Sequence, residues 1–484
     1  MNFIADVLER FPASRPALVA ISAEGERRVW HFGELIAMSA GVSGALAARG
    51  VMRGDVVMTL LGNRVEWVLT MLACWRMGAV ALPCSTQLRR NDLALRVAAA
   101  DPKLCVGEEA LLAELPDGVP TLSLAEFAGI LDEDRPQATP AAVAELGPED
   151  PALVVFTSGT TGEPRGALHP VRYLAGQRAQ AEHWLGAHDG ELVWCTTATG
   201  WSKSVRNVFV APWLCGAAAL ICDARFDPVE RLELIEREGV NVLCQAPTEY
   251  RMIAGRAEPR PIASLRRLVS AGEALDPEVI GVFRDRVGLE IHDGYGQTET
   301  GHLVGNHVGE PVRPGSMGKP LPGVELRVDG DSGAGGELSL RVATCPTFFS
   351  GYLGGEHFAG EWWPTGDIVR RDGDGYLWHE GREDDLIMSS GYRIGPVEVE
   401  SALLTHPAVA EAAAVPAPDA ERGAVVRAIV VLRSGEPGDE LAEELRDHVK
   451  RMTAPYKAPR IVEFAEELPK TASGKIRRAE LRRG

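Results

Sequence analysis

The chain has 484 residues, 45% hydrophobic and 24% charged, with 50 Lys+Arg against 68 Asp+Glu and a net charge of -18. That length predicts two or three units, and the composition is that of a globular enzyme. The acidic balance excludes a general nucleic-acid binder but not anionic ligands, which a few local cations and backbone amides can hold.

The N-terminal segment MNFIADVLERFPASRP carries an early acid and no apolar stretch, which argues against a secretion signal. ALVAIS (17–22) and RVWHF (28–32) flank Glu24-Gly25 and predict a hairpin. An Ala-rich helix is expected over 33–49, ending at Gly50, then a strand at 55–62 and a helix at 65–78. The apolar part of that helix, Val68 to Ala73, is too short to span a bilayer. Alternation recurs at ALVVF (152–156), at LICD (220–223) before a helix at 228–238, and at NVLCQAP (241–247). Such alternation predicts α/β sheets covered on both faces.

Residues 310–382 are rich in Gly, Pro and Trp, with short strands at 324–328 and 336–342, and predict a small β subdomain. After the charged run 383–385, a separate α+β unit is expected, with helices near 396–404 and 439–452 and a basic end. The fold class is thus α/β: a large N-terminal domain over 1–383 and a small C-terminal α+β domain over 384–484, with a hinge near 384 as the boundary. The eight cysteines show no zinc-ligand spacing and read as free thiols of a reducing cytoplasm.

Five segments carry chemistry. Thr157-Ser158-Gly159-Thr160-Thr161-Gly162-Glu163-Pro164-Arg165-Gly166 follows a buried strand. Its glycines allow a tight turn with amides facing a polyanion, and Arg165 adds charge. It lacks the Gly-Lys-Ser/Thr close of a Walker loop. Asp293-Gly294-Tyr295-Gly296-Gln297-Thr298-Glu299-Thr300-Gly301 sets a carboxylate among hydroxyls, which suits Mg²⁺ and phosphate. Trp363-Pro364-Thr365-Gly366-Asp367, with Gly381-Arg382 downstream, offers an aspartate to a ribose. Ser389-Ser390-Gly391-Tyr392-Arg393-Ile394-Gly395-Pro396 comes after the hinge, and Pro469-Lys470-Thr471-Ala472-Ser473-Gly474-Lys475 holds a lysine on a Gly-Ser loop. Taken singly each is equally a polar turn; all five in one order across one chain are not.

This combination resembles the adenylate-forming superfamily of acyl- and aryl-CoA synthetases, adenylation domains and firefly luciferase, along nearly the whole chain. GYGQTETG, SSGYRIGP, APYKAPR and LPKTASGKIRR are most similar to the medium-chain acyl-CoA and benzoate-CoA synthetase branch. The resemblance implies ATP, Mg²⁺ and coenzyme A as cofactors and an acyl-adenylate intermediate. It places Thr157, Ser158, Gly159, Thr160, Thr161, Gly162 and Arg165 at the β- and γ-phosphates, and Gly272 and Glu273 at adenine. Asp293, Gly294 and Tyr295 lie opposite, with Gly296 and Gln297 next in the chain. Thr298 falls at the α-phosphate, Glu299 at Mg²⁺, and Asp367 with Arg382 at the ribose. Lys475 is the lysine that bridges carboxylate and α-phosphate. Gly391 lies beside the pantetheine tunnel in the thioester-forming state, with Tyr392 next to it among the cofactor-binding residues, and Arg393, Arg422 and Lys450 look like the family's CoA-side cations.

The phosphate loop of this family usually carries Lys where this chain has Arg165, which keeps the charge but not the point geometry. Trp201 falls where the branch places an aromatic wall of the acyl pocket. Gly296 stands where acetate-activating relatives have Trp, so the expected acid is larger than acetate: medium-chain, branched or aromatic. Two alternatives stand beside the CoA ligase: a ligase that loads a carrier protein, and a non-catalytic ligand-binding homologue. A homodimer stays open, and no transmembrane segment is expected.

Overall fold

The computed structural model describes residues 1–132, 138–157, 164–330, 335–355, 357–382, 385–389, 392–419, 422–470 and 476–482, with backbone alone at 392 and 393. Two large sheets dominate the first three hundred residues. One has nine strands, and six of them, from Pro16–Ile21 to Ile291–Gln297, run parallel through Ala218–Cys222, Leu192–Cys195, Val242–Gln245 and Arg267–Ala271. The other has seven strands, with Pro151–Phe156, Val80–Pro83, Val56–Leu60, Leu104–Gly107 and Thr121–Ser123 in parallel. Parallel strands buried on both faces read as unbroken apolar runs, which is why VVMTL and ALVVF were legible.

A helical layer lies between the sheets. Helix Val65–Met77 is buried nearly all round, with Trp67 and Trp75 inaccessible, as a helix apolar on every face must be. It shares one core with helix Phe32–Ala48, with Phe209 and Trp213, and with strand residues Val57, Leu153, Leu18 and Val193 of both sheets. Gly78 ends it in a left-handed conformation (φ 76°).

The small β subdomain is narrower than expected. Leu326–Asp329, Gly336–Arg341, Trp362–Arg371 and Leu377–Arg382 form a four-stranded antiparallel sheet. Lys319–Pro320 instead joins the nine-stranded sheet, and Gly351–Tyr352 pairs with Gly166–Pro170 in the seven-stranded one. Each of these two-residue strands satisfies an edge that would otherwise be unpaired. Residues 387–464 build a separate sheet of five strands around Gly423–Leu432, with their own core of Ile387, Leu403, Val430 and Leu445. Asp384 lies outside the described residues. No described helix is long and apolar enough to cross a membrane.

Candidate active site

The strand ends of the two large sheets and the small sheet open on one cleft of about 3500 Å³. The Asp293–Gly301 segment folds as a hairpin in its wall: strand Ile291–Gln297 turns at Thr298–Thr300 into antiparallel strand Gly301–Gly305. The register slips between Tyr295 and Gly296, a bulge that turns Thr298 and Glu299 toward the cleft. A Cβ on Gly296 would lie 2.0 Å from the Gly301 carbonyl oxygen. A side chain at 296 would need the facing Gly301 backbone to shift, so the crossing of two backbones favours glycine there independently of any room it leaves for an acyl chain.

Asp367 is 4% exposed on the strand Trp362–Arg371. Its Oδ2 accepts from the Tyr295 hydroxyl at 2.5 Å and from Gln297 Nε2 at 2.8 Å. Its Oδ1 lies 3.2 Å from His379 Nε2 and 3.5 Å from Arg382. Burial works against its charge, but the His379 bond and the nearby Arg382 and Tyr295 outweigh it and hold the carboxyl below the usual aspartate range. Gln297 is clamped in turn, donating to the Thr365 carbonyl at 2.7 Å and accepting from Trp363 Nε1 at 3.3 Å. Glu273 is fixed by Thr248, whose N–H and hydroxyl donate at 2.8 and 2.5 Å, and by Arg251 at 3.1 Å.

The phosphate-type loop is described only at its ends, because 158–163 (with Ser158, Gly159, Thr160, Thr161 and Gly162) lie outside the described residues. Those ends are pinned: Thr157 N–H donates to the Arg165 carbonyl at 2.9 Å, and Arg165 N–H to Thr157 Oγ1 at 3.2 Å. The Arg165 guanidinium sits 3.9 Å above the Tyr352 ring, and the Tyr352 hydroxyl donates to Glu299 Oε1 at 2.6 Å. Arg165 is thus linked through Tyr352 to the hairpin turn, a contact the planar guanidinium makes well. Tyr352 gives no sign of itself in the sequence, since a two-residue edge strand has no periodicity.

Asp293 is buried beside its own hairpin, accepting from Gly294 N–H at 2.9 Å. Burial, only partly offset by that bond and by Lys203, pushes its carboxyl up to about 8, so it is a neutral donor at pH 7. Lys203, 9% exposed, donates to the carbonyls of Gln245 and Ala271, both at 2.9 Å. Trp201 borders the cleft at the start of helix Ser202–Val205. Gly200 sets it there with φ 88° and with a would-be Cβ 2.3 Å from Ser85 N, a position only glycine fills.

From the C-terminal unit, Lys470 and Ile476 line the same cleft and pair with each other across residues 471–475. Lys475 itself lies outside the described residues, as do Gly391 and the side chains of Tyr392 and Arg393. Arg422 and Lys450 do not line the cleft: the Arg422 N–H donates to Asp419, and Lys450 pairs with Asp447 on its own helix at 2.8 Å.

Two parallel sheets around a helical layer, a small antiparallel sheet at the cleft and a separate C-terminal sheet define the adenylate-forming class of enzyme. Residues 4–353 match the AMP-binding enzyme family and residues 398–475 its C-terminal domain, and the chain belongs to that family. It is 38% identical, over 99% of its length and 95% of the relative, to the uncharacterized acyl–CoA ligase YtcI of Bacillus subtilis. It is 38% identical to the human mitochondrial acyl-coenzyme A synthetase ACSM4, over 99% of this chain and 90% of that one. Its fold is similar to the anthranilate CoA ligase AuaEII in complex with anthranoyl-AMP (TM-score 0.86, 30% identity, 99% and 96% of the two chains covered). It is similar also to a benzoate CoA ligase of Burkholderia xenovorans LB400 (TM-score 0.86, 27% identity, both chains fully covered).

Proposed function

We propose that the protein is an AMP-forming acid–CoA ligase whose acid is larger than acetate. ATP and the acid give acyl-AMP and pyrophosphate; the CoA thiol then displaces AMP. The observation that carries this reading is Asp367, an ionised carboxylate held by Tyr295, Gln297 and His379 on the wall of a cleft that Thr298, Glu299 and Arg165 also line. An acceptor so fixed suits the two hydroxyls of a ribose. Gly272 and Glu273 face the same cleft where adenine would lie, and Arg382 stands beside Asp367.

Glu299 offers one carboxylate oxygen bonded to Tyr352, and no group of three metal-ligating side chains exists among the described residues. A single carboxylate fits Mg²⁺, which draws its other oxygens from substrate phosphates and water. Bound there, the ion would offset charge on the phosphates. Thr298 donates at the α-phosphate, and Lys475 neutralises the carboxylate and phosphate as they meet. Lys470 and Ile476 on the cleft wall support this role, since they carry the segment that holds Lys475. AMP is a sufficient leaving group in the second step, so no protein nucleophile is needed. Rotation about Asp384 would withdraw Lys475 and bring Gly391, Arg393, Arg422 and Lys450 to the CoA face. The present placement of Arg422 and Lys450 away from the cleft agrees with the first of the two states.

Solved relatives that are an anthranilate CoA ligase and a benzoate CoA ligase support an acid larger than acetate. The eight unpaired thiols support a reducing cytoplasm. A panel of acids assayed for pyrophosphate and AMP, with and without CoA, tests the whole. Pyrophosphate from an acid and ATP, then CoA-dependent AMP release, is expected. AMP release that requires a carrier protein in place of CoA, or pyrophosphate from no acid at all, would overturn it.

A further inference from the structure

Arg206 lines the cleft and is 4% exposed, one turn along the helix from Lys203. Its guanidinium donates to Ser202 Oγ at 3.3 Å, its Nε has no partner, and it forms no ion pair among the described residues. The groups packed behind it are buried and uncharged. His302 lies against the Trp184 ring at 3.9 Å with both ring nitrogens unpartnered. His169, also unpartnered at both nitrogens, lies 4.2 Å from the Tyr173 ring, whose hydroxyl is unpartnered too. Gln180 donates to Asn207 at 2.9 Å, leaving its own carbonyl and the Asn207 amide without partners. Burial and the charges of Arg206 and its neighbours keep His302 well below, and His169 at about 3 against, the ordinary histidine range, so neither adds a charge. The one carboxyl beside Lys203, Asp293, is itself protonated at neutral pH.

Burial opposes it, but the bond from Cys244 and the charge of Lys203 draw the buried Cys195 thiol below the usual thiol range, so Lys203 has an anionic neighbour; Arg206 is buried at the floor of the cleft with no carboxylate paired to it among the described residues. A buried guanidinium is stable only when paired. The cleft that Arg206 lines is an open side from which a partner can come. The reacting carboxylate belongs at Thr298, in the hairpin turn, whereas Arg206 lies on a different element, the helix that follows Trp201.

We infer that Arg206 receives the far end of the acid, and that the protein selects acids whose tail carries a second anionic oxygen group, a dicarboxylate in the simplest case. Trp201 flanks the chain between the two ends, and the uncharged groups behind Arg206 leave its charge for the tail. A site built on such a bond rejects the analogue that lacks it far more strongly than an apolar pocket rejects a missing methylene. The inference rests on the ligase reading and narrows its acid.

The test uses matched pairs, butanoate against butanedioate and hexanoate against hexanedioate, with pyrophosphate release measured for the full chain and for Arg206→Met and Arg206→Lys. In at least one pair the dioate should be preferred in kcat/KM by about 10-fold or more. Arg206→Met should shift that ratio toward the alkanoate on the order of 100-fold, with Arg206→Lys between. A wild-type preference for the alkanoate in both pairs would overturn the inference, and this comparison decides it even where the Met variant fails to fold. So would an Arg206→Met variant that slows both members of a pair alike, for the arginine would then serve the reacting carboxylate or the phosphates. Pyrophosphate from no acid would instead sink the ligase reading, and the tail subsite with it.

Discussion

The nucleotide wall and the acid floor of the cleft are built in opposite ways. On the wall, Asp367, Gln297 and Glu273 have several partners each, and the order is complete before any ligand arrives. On the floor, Arg206, His302, His169 and Tyr173 hold buried atoms with none. A wall that receives one invariant molecule can be finished in advance, since fixed donors and acceptors need no reorganisation at binding. A floor left unfinished is specific for whatever completes it, because the wrong ligand leaves its polar groups unmet. That difference separates residues that should govern ATP from residues that should govern the acid.

The largest effect expected belongs to neither surface but to the segment that closes on both. Lys475→Ala should lower adenylation on the order of 10³-fold, read as pyrophosphate release, while thioester formation from supplied acyl-adenylate persists. Next, Asp367→Ala should raise KM for ATP about 10- to 100-fold and leave the ranking of acids as it was. A change in that ranking would break the division between wall and floor. Arg206→Met should do the reverse, reordering the acids while the KM for ATP stays near that of the wild type.

Asp293 sharpens the comparison through pH. Its unfolded carboxyl loses a proton near 3.8, and the folded one holds it up to about 8. Between those values the folded state binds the extra proton, so stability falls as pH rises, by up to about 1.4 kcal/mol per unit. Denaturant titrations across that window should show Asp293→Asn gaining on the wild type toward pH 8. A constant difference would mean the carboxyl is ionised throughout. The smallest effect is at Arg165: Lys keeps the charge but loses the contact with Tyr352, and kcat/KM for ATP should fall about two- to five-fold.

The wall was legible in the sequence because its chemistry is local. Gln297, Thr298 and Glu299 sit in one hairpin, and Asp367 in one strand beside its turn, so short segments carry the signal. The helices 65–77 and 439–452 and the parallel strands were legible for the same reason: their apolar spacing is read over a dozen residues. The floor was not. Arg206, His169, Tyr173 and His302 come from three separate stretches, and each alone is an ordinary polar residue. Only the packing of helix 172–185 and the 202–214 helix against the hairpin brings them together. The edge strands Lys319–Pro320 and Gly351–Tyr352 were missed because two residues carry no period.

Arg206 opens a π turn, Arg206–Val210, set between two α-helical turns of one continuous helix. A π turn holds one residue more than an α turn. Deleting a single residue there would return the turn to α geometry while the flanking turns keep nearly the same faces, because the wide turn is what absorbs the extra residue. Trp201 and Lys203 before it would stay in place, and only the stretch from Arg206 to Val210 would be re-aimed. A lineage could move the floor's cation through a one-codon deletion, a shorter path than rebuilding the pocket side chain by side chain.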